Sequence, residues 1–361
     1  MFRNDLEVTL HKASADQLKP KPDQSNLGFG QFFTDHMFTM RWNRQEGWHD
    51  AVIEPYQAFE MDPAAMVFHY GQAIFEGMKA YRGADNQIFL FRPMDNFVRM
   101  NESALRMCMP RFPVDRVLQA LRALVYLDQD WVPRAPGATL YIRPTMIATE
   151  PALGLRASES YLFFIICCPV GAYYSGGFAP TTIYVESEYV RAVPGGVGHA
   201  KTSGNYAASL RAQSEAQAKG FTQVLWLDAV ERRYIEEVGT SNIFFLIDGE
   251  LITPPLEGSI LPGITRDSVL QLARDWGYRV SERRLSIDEV IAAGKNGTLQ
   301  ESFGTGTAAV ISPVGELVYQ DERIRINNGA AGELATRLFE ELQGIQFGSH
   351  EDPYKWRVRV G

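Results

Sequence analysis

The sequence predicts an α+β protein of two domains, from its length, its alternating strand and helix patterns, and one glycine-rich connector. The chain has 361 residues, and a domain typically contains roughly 150 residues. Because 45% of the residues are hydrophobic, a disordered chain is excluded. Segment 171–180 (GAYYSGGFAP) contains three glycines and a proline, the composition of a connector. We therefore expect domains at 1–173 and 183–361, with a connector at 174–182.

The N-terminal domain is expected to combine short strands with two helices. Residues 1–30 are polar and irregular, and short strands and turns begin at Phe32. Apolar residues at helical spacing predict a helix over 93–109, and 114–127 has the pattern of a second helix. Strands are predicted at 138–147 and 161–170, which are rich in β-branched and aromatic residues.

The C-terminal domain is expected to be richer in strands. A strand at 181–185 precedes a glycine-rich turn at 194–198, and a helix over about 205–219 is stopped by Gly220. The sequence then predicts a β-rich run over 222–253, a helix from about Thr265 to Gly277, and short strands and helices to the end.

Composition and charge exclude several classes of function. The formal net charge of −8 disfavours general binding to nucleic-acid phosphates. The three cysteines cannot form a disulfide framework, and the six histidines lack the spacing of a zinc site. The longest apolar run is about ten residues, half of what spans a bilayer, and the N-terminus lacks the apolar region of a signal peptide. We expect a soluble, cytoplasmic protein with no metal, nucleic-acid or membrane partner, although an organelle-targeting segment could have been removed.

Lys201 is the most informative single residue. It lies between the glycine-rich turn and the helix that follows, with few other charges nearby. One interpretation is an ordinary solvated lysine near a helix start; another is a lysine that forms a Schiff base with a carbonyl compound. The glycines alone also suggest a phosphate loop. However, neither the P-loop pattern nor the dinucleotide-binding pattern is present.

A second group of residues lies further along the chain. Glu237 and Asn242 precede segment 261–266 (LPGITR), where a helix start would expose the backbone N–H groups of Ile264 and Thr265 to an anion. Segment 304–309 (GTGTAA) offers hydroxyl and N–H groups of the same kind. Taken singly, these features are also typical of a turn carboxylate and an ordinary helix entry.

Taken in order, these residues resemble the signature of the fold-type IV pyridoxal-phosphate enzymes, and the chain is similar to their branched-chain amino-acid aminotransferases. The signature residues are Glu237, Asn242, Phe244, Thr253, Gly263 and Arg266. Further blocks agree in the same order, at 28–37 (GFGQFFTDHM), 69–71 (HYG), 75–79 (FEGMK), 141–144 (YIRP), 171–173 (GAY) and 306–314 (GTAAVISPV). The resemblance covers nearly the whole chain. It implies a smaller, open α/β N-terminal domain and a larger, β-rich, pseudo-barrel C-terminal domain that carries the cofactor lysine.

The resemblance implies pyridoxal 5'-phosphate as the cofactor and gives its residues roles. Lys201 would hold the cofactor covalently and move a proton during catalysis, while Tyr206 would hydrogen-bond its phenolic oxygen. Glu237 would lie beside the pyridine nitrogen and keep it protonated, which lets the ring accept electron density. The phosphate would be held by Arg99, Ile264, Thr265 and Thr307.

The resemblance also implies a substrate pocket and a homodimer. Phe29, Tyr70, Phe75 and Tyr173 would form an apolar wall, although core packing is the ordinary interpretation of each aromatic residue. Thr307 and Ala308 would bind the α-carboxylate of the substrate through their N–H groups. Tyr141 and Arg143 would steer carboxylates at the mouth of the pocket, and Arg143 would bind a γ-carboxylate. A loop from the neighbouring subunit, matched here by Leu153 and Leu155, would close the pocket.

The implied activity is a reversible, ping-pong transfer of the amino group of L-leucine, L-isoleucine or L-valine to 2-oxoglutarate. The products are a branched-chain 2-oxo acid and L-glutamate, which suggests a role in branched-chain amino-acid biosynthesis. D-amino-acid transaminase and aminodeoxychorismate lyase share the fold, but the blocks at 141–144 and 195–198 (GGVG) resemble the branched-chain group. A non-catalytic pyridoxal-phosphate-binding protein is the alternative from another functional class.

Overall fold

The chain forms two compact units, seen in a computed structural model that describes residues 7–171 and 178–361. The first unit comprises Met1–Tyr173, Ala200–Ser203 and Gly344–Gly361, and the second comprises Tyr174–His199 and Gly204–Gln343. This division differs from the predicted domains, which assigned the segment around Lys201 and the chain end to the C-terminal domain. The first unit also contains more residues than the second, whereas the expectation made the N-terminal domain the smaller one.

The helices and strands are numbered in chain order. Up to residue 171 they are β1 (Thr9–Leu10), β2 (His36–Asn43), β3 (Gly47–Pro55), α1 (Met66–Tyr70), β4 (Ala73–Phe75), β5 (Met78–Arg82), β6 (Ile88–Phe91), α2 (Pro93–Arg106), α3 (Val114–Leu127), β7 (Thr139–Ala148) and β8 (Ser160–Val170). After residue 178 they are β9 (Thr181–Glu186), α4 (Ser203–Ala218), β10 (Gln223–Leu227), β11 (Ile235–Val238), β12 (Ser241–Ile247), β13 (Glu250–Thr253), α5 (Ile264–Asp275), β14 (Arg279–Glu282), α6 (Ile287–Asn296), β15 (Leu299–Gly306), β16 (Val310–Tyr319), β17 (Glu322–Arg325), α7 (Glu333–Phe347) and β18 (Arg357–Val360).

The first unit is built on an open sheet. The strands follow the order β1-β3-β2-β8-β7-β5-β6-β18, and β4 pairs with β7 outside this path. One face of the sheet packs against α2 and α3, whose apolar residues recur at helical spacing. In α2 these residues are Phe97, Met100 and Ala104, all buried. The opposite face of the central strands carries polar and aromatic side chains, among them Lys79, Tyr141 and Arg143.

The second unit is built on a closed barrel. Strands β11, β10, β9, β16, β15 and β12 pair in sequence, and an additional pairing of β11 with β12 closes a six-stranded ring. Strands β13 and β14 extend the sheet from β12, and β17 pairs with β16. A buried apolar cluster including Ile243 and Phe245 fills this unit. The predicted α+β class, with an open N-terminal sheet and a C-terminal barrel, is confirmed.

Helix α2 ends three residues earlier than the predicted boundary, for a local reason. Cys108 adopts a left-handed backbone conformation with φ of 55°. The Met109 N–H then donates to the Ala104 carbonyl oxygen at 2.8 Å, and the Cys108 N–H donates to the Leu105 carbonyl oxygen at 3.2 Å. These two bonds form the Schellman arrangement that closes a helix. In the part of the chain that the structure describes, no helix is long and apolar enough to cross a membrane.

Candidate active site

Lys201 belongs to the first unit, where its backbone lies along β4. The Phe75 N–H donates to the Lys201 carbonyl oxygen at 3.0 Å, and Thr202 forms a bridge with Ile74. From the other side, the Lys201 N–H donates to the hydroxyl oxygen of Ser103 on α2 at 2.9 Å. The lysine is therefore held by backbone contacts, and its Nζ lies 5.2 Å from the centre of the Phe75 ring.

Arg99 lies one helical turn before Ser103 on α2 and forms a buried ion pair. Its Nε and Nη2 donate to the two carboxylate oxygens of Glu76, each at 2.8 Å. Glu76 is fully buried and Arg99 is 8% exposed. This two-point geometry is that of a strong arginine–carboxylate pair. A guanidinium has five N–H donors, so the Glu76 contacts do not exhaust those of Arg99.

The face of the sheet opposite α2 and α3 brings together four of the residues expected to bind substrate. Tyr141 and Arg143 alternate on β7, and Arg143 Nη2 donates to the Tyr141 hydroxyl at 3.0 Å. The Arg143 guanidinium carbon lies 4.7 Å from the Phe75 ring centre and 5.2 Å from that of Tyr141. The Phe29 ring meets Tyr141 edge-on, with centres 5.0 Å apart. This aromatic–arginine group combines apolar surface with a positive charge.

Two neighbours shape this group and had no predicted role. Gly77 leaves room for the Tyr141 hydroxyl, because a Cβ there would lie 2.1 Å from that oxygen. Lys79 pairs in register with Tyr141 across β5 and β7 and is 7% exposed. Burial lowers the pKa of the Lys79 ammonium to about 8. The face therefore holds a second cation besides Arg143.

Tyr70 and the predicted closing loop contact each other at the surface of the first unit. The Tyr70 hydroxyl donates to the Leu153 carbonyl oxygen. The loop is attached to the segment before α1, since the Ala152 N–H donates to the Ala64 carbonyl oxygen at 3.1 Å. Leu153 and Leu155 are 65% and 81% exposed. Tyr173, also expected in the substrate wall, lies outside the described residues.

In the second unit, the Glu237 carboxylate on β11 contacts a cation and an amide N–H donor. Arg191 forms an ion pair with its Oε2, and Asn242 Nδ2 donates to its Oε1 at 3.1 Å. Asn242 Nδ2 also donates to the Leu261 carbonyl oxygen at 2.9 Å. The side chain of Glu237 is only 4% exposed. A cation and an N–H donor both favour the charged carboxylate.

Tyr206 lies in the first part of α4 and lines the same small cavity as Glu237. The other side chains of this cavity include Arg191, Asn205, Thr240 and Leu261. The structure therefore brings the two expected ring-binding residues together within the second unit.

The expected phosphate-binding backbone is the start of α5. Gly263 precedes the helix with no side-chain cap, so the N–H groups of its first turn face outward from the helix end. Gly263 is required here because a Cβ would lie 1.9 Å from Asn242 Oδ1.

Thr307 and Ala308 lie in the turn between β15 and β16 and are half-buried. The register of β12 with β15 pairs Asn242 with Thr305, which puts this turn at the same end of the barrel as Asn242.

The donor set fits pyridoxal phosphate. A pyridinium nitrogen needs a carboxylate acceptor, and Glu237 lines the small cavity with its carboxylate in contact with Arg191 and Asn242. A phosphate needs outward N–H groups, which the uncapped start of α5 provides. The first unit carries Lys201 and Arg99, and the second carries Glu237, Tyr206, Ile264, Thr265 and Thr307.

Comparisons with known proteins decide the family. The family model "Amino-transferase class IV" matches residues 73–317. The chain is 57% identical over 342 residues to branched-chain-amino-acid aminotransferase 2 of Bacillus subtilis, covering 95% of this chain and 94% of that protein. The chain belongs to the branched-chain amino-acid aminotransferases of class IV.

Solved structures agree with this assignment. A branched-chain amino acid aminotransferase of Escherichia coli matches with a TM-score of 0.75 and 28% identity, covering 91% of this chain and 99% of that chain. The branched-chain amino acid aminotransferase of Thermobaculum terrenum, solved in its pyridoxal-phosphate form, matches with a TM-score of 0.73 and 26% identity, covering 91% and 98%. Class IV aminotransferases depend on pyridoxal phosphate, so this aminotransferase is a pyridoxal-phosphate enzyme. The predicted family, enzyme class and cofactor are confirmed.

Sequence reasoning missed the partners of the charged residues. Glu76 lies in the block at 75–79 that supports the resemblance, but its pairing with Arg99 depends on how β4 meets α2. Ser103 and Arg191 carry no motif of their own. The sequence signal that could have indicated Ser103 is its spacing four residues after Arg99, which puts both residues on the same face of α2.

Proposed function

We propose that this aminotransferase transfers the amino group of L-leucine, L-isoleucine or L-valine to 2-oxoglutarate, reversibly and by a ping-pong sequence. The observation that carries the proposal is the aromatic–arginine group of Phe29, Phe75, Tyr141 and Arg143. Its apolar rings suit a branched aliphatic side chain. Its guanidinium suits the second carboxylate of 2-oxoglutarate or L-glutamate. The relatives named as branched-chain aminotransferases support the same substrate class.

Pyridoxal phosphate supplies a reactive carbonyl and an electron-accepting ring when bound. Lys201 would hold the cofactor through its Nζ, and the same amine, when free, would accept the proton from the α-carbon of the amino acid. Glu237 accepts a hydrogen bond from the protonated ring nitrogen, and the Tyr206 hydroxyl donates to the phenolic oxygen. Arg99, the N–H groups of Ile264 and Thr265, and the Thr307 hydroxyl hold the phosphate.

The substrate is oriented by the remaining expected residues. The Thr307 and Ala308 N–H groups bind the α-carboxylate, which fixes the α-proton relative to Lys201. Arg143, steered by its hydrogen bond to Tyr141, binds the γ-carboxylate of the dicarboxylic substrate. Phe29, Phe75, Tyr70 and Tyr173 form the wall for the branched side chain.

We also propose a homodimer in which the exposed loop with Leu153 and Leu155 covers the pocket of the partner. These side chains, together with Phe68 at 61% exposure, form an apolar surface that favours burial against another protein surface. The protein is proposed to work in the cytoplasm, in branched-chain amino-acid biosynthesis. The three cysteines, which are all free, are consistent with a reducing compartment.

The Lys201→Ala variant tests the central assignment. We expect it to lose the visible, borohydride-reducible chromophore and the half-reaction with L-leucine. Lys295→Ala is the matched control, because Lys295 is a surface lysine paired with Glu322, and this variant should retain both properties. Turnover of Lys201→Ala at the wild-type rate would refute the assignment.

A half-reaction panel separates the rivals. Wild-type enzyme should convert its cofactor to the pyridoxamine form with L-leucine, L-isoleucine or L-valine, and reconvert it with 2-oxoglutarate. Faster conversion with D-alanine than with L-leucine would indicate the D-amino-acid activity. A chromophore that forms but does not respond to any amino acid would indicate a binding protein.

A further inference from the structure

Arg191 is a nearly buried arginine to which neither the family signature nor the proposed mechanism gives a role. It lies between β9 and α4, and its side chain is 9% exposed. Its guanidinium forms the ion pair with Glu237, and its Nη2 also donates to the carbonyl oxygens of Gly198 at 3.2 Å and Ser259 at 3.1 Å. Its Nε has no hydrogen-bond partner among the described residues.

We propose that Arg191 is a positioning residue that keeps the Glu237 carboxylate ionised and oriented, so that the cofactor's ring nitrogen remains the protonated partner. This inference rests on the proposed placement of Glu237 beside that nitrogen. It deepens the proposed function by naming the group that sets the basicity of Glu237.

Glu237 and the ring nitrogen would compete for a single proton. A proton shared between a carboxylate and a pyridine nitrogen can rest on either group, and only a pyridinium withdraws electrons strongly. A cation in contact with the carboxylate lowers its affinity for the proton. The same cation opposes a positive charge on the ring, but that interaction weakens with distance, and Arg191 is in direct contact with Glu237. The net effect favours the pyridinium.

Backbone carbonyl groups of the surrounding chain fix the position of the Arg191 guanidinium. Its contacts with Gly198 and Ser259 join the glycine-rich turn before Lys201 to the loop before α5. These two segments pack closely, because a Cβ at Gly198 would lie 2.1 Å from the Ser259 carbonyl oxygen. Asn242 holds the other oxygen of Glu237. The carboxylate is thus fixed from two sides. All three contacts of Arg191 are made by Nη2, and a lysine, whose side chain is one atom shorter, would keep the charge but not all of these contacts.

The test compares two ligands of the apoenzyme that differ only at the ring nitrogen. Pyridoxamine 5'-phosphate and its 1-deaza analogue both lack the carbonyl that bonds to Lys201, so their dissociation constants report non-covalent binding alone. Fluorescence titration would measure both for wild type, Arg191→Met and Arg191→Lys. We expect wild type to prefer pyridoxamine 5'-phosphate by about tenfold or more. The preference should fall below about threefold in Arg191→Met and to an intermediate value in Arg191→Lys.

Arg283→Met is the matched control. Arg283 belongs to the same unit and pairs with Glu289, but it does not line the cavity of Glu237. Its variant should keep the wild-type preference. In the Glu237→Gln background the ring-nitrogen preference should already be lost, and adding Arg191→Met should change the ratio less than twofold. A further large loss in the double variant would overturn the proposal.

The outcomes separate this inference from the proposed function. If wild type does not distinguish the two ligands, Glu237 does not serve the ring nitrogen, and both proposals fail at that point. If wild type distinguishes them and Arg191→Met does so equally well, Arg191 has no such role while the placement of Glu237 stands. Circular dichroism would establish that each variant is folded. If Arg191→Met does not fold, Arg191→Gln decides, because it also removes the charge, and an unchanged preference in it contradicts the proposal.

Discussion

At the residue scale, the Arg99 guanidinium, which is expected to bind the cofactor phosphate, already forms an ion pair with Glu76 within the protein. Both groups are removed from water, and each compensates the other through two hydrogen bonds. Breaking such a pair from one side leaves an uncompensated charge in the interior. Glu76 therefore stabilises the buried guanidinium of Arg99 at the position where the cofactor phosphate is expected.

Replacing Glu76 tests this dependence. We expect Glu76→Gln to lower the free energy of unfolding of the apoenzyme by about 3 kcal/mol, because the Arg99 guanidinium loses its buried counter-charge. Urea denaturation measures this loss. Glu102→Gln is the control, since Glu102 pairs with Arg111 at an exposed position, where a pair contributes about 1 kcal/mol or less. Equal effects of the two variants would contradict the interpretation.

Gly263 gives a second prediction at this scale. A Cβ at this position would lie 1.9 Å from Asn242 Oδ1, so Gly263→Ala must displace the amide that donates to Glu237. We expect weaker binding of pyridoxamine 5'-phosphate, by about tenfold if one charge-assisted hydrogen bond is lost. Gly171→Ala should bind normally, since a Cβ there meets no atom of the described residues within 4 Å. Unchanged affinity in Gly263→Ala would show that the helix start can adjust without moving Asn242.

At the element scale, α2 organises two functions of the first unit. Its buried apolar face packs on the sheet, while Arg99 and Ser103, four residues apart, present a guanidinium to Glu76 and a hydroxyl to Lys201. A single helix thereby fixes the predicted phosphate ligand and the backbone of the predicted cofactor lysine.

Ser103→Ala measures this second contact. Ser103 is 1% exposed, and removing its hydroxyl leaves the Lys201 N–H without that acceptor. We expect the variant to lose about 1–3 kcal/mol of unfolding free energy and to form the lysine-bound chromophore more slowly. Ser302→Ala is the matched control, because Ser302 is also buried and its hydroxyl has no partner in the described ranges. A Ser103→Ala variant as stable as Ser302→Ala would argue against the contact.

The elements also show what local sequence can and cannot predict. Helix α3 was predicted over its observed range, because its apolar residues recur at helical spacing within one continuous run, so the pattern can be recognised without its packing partner. The barrel ring, in contrast, depends on pairings between strands far apart in the sequence, β9 with β16 and β12 with β15, which no local pattern encodes. For the candidate site, the motif residues were predicted, but their partners Glu76 and Arg191 come from other segments and required the fold.

At the scale of the whole molecule, chain order and unit membership differ. The strand β18, at the end of the chain, pairs antiparallel with β6. The four residues Ala200–Ser203 also belong to the first unit, although their neighbours on both sides belong to the second. The predicted boundary near residue 173 came from composition, which cannot reveal a chain that returns to an earlier unit.

Global stability should also respond to the buried ammonium of Lys79. Its pKa is lowered to about 8 in the folded protein by desolvation, whereas an unfolded lysine has a pKa of about 10.4. Between these values the unfolded chain binds more protons than the folded one, so stability increases with pH in that window. The cost of burying the charge is fully present below pH 8 and is relieved as the pH rises towards 10.

Lys79→Met removes this titration and therefore tests it. We expect the unfolding free energy of wild-type apoenzyme, relative to Lys79→Met, to rise between about pH 8 and pH 10, by at most about 1.4 kcal/mol per pH unit. Urea denaturation at several pH values measures the unfolding free energy of both proteins. The difference between the two free energies cancels the contribution of every titrating group that the two proteins share. Lys295→Met should show no such rise against wild type, because Lys295 is 61% exposed. A wild-type minus Lys79→Met difference that stays constant with pH would mean that the folded protein solvates or pairs this ammonium as well as water does.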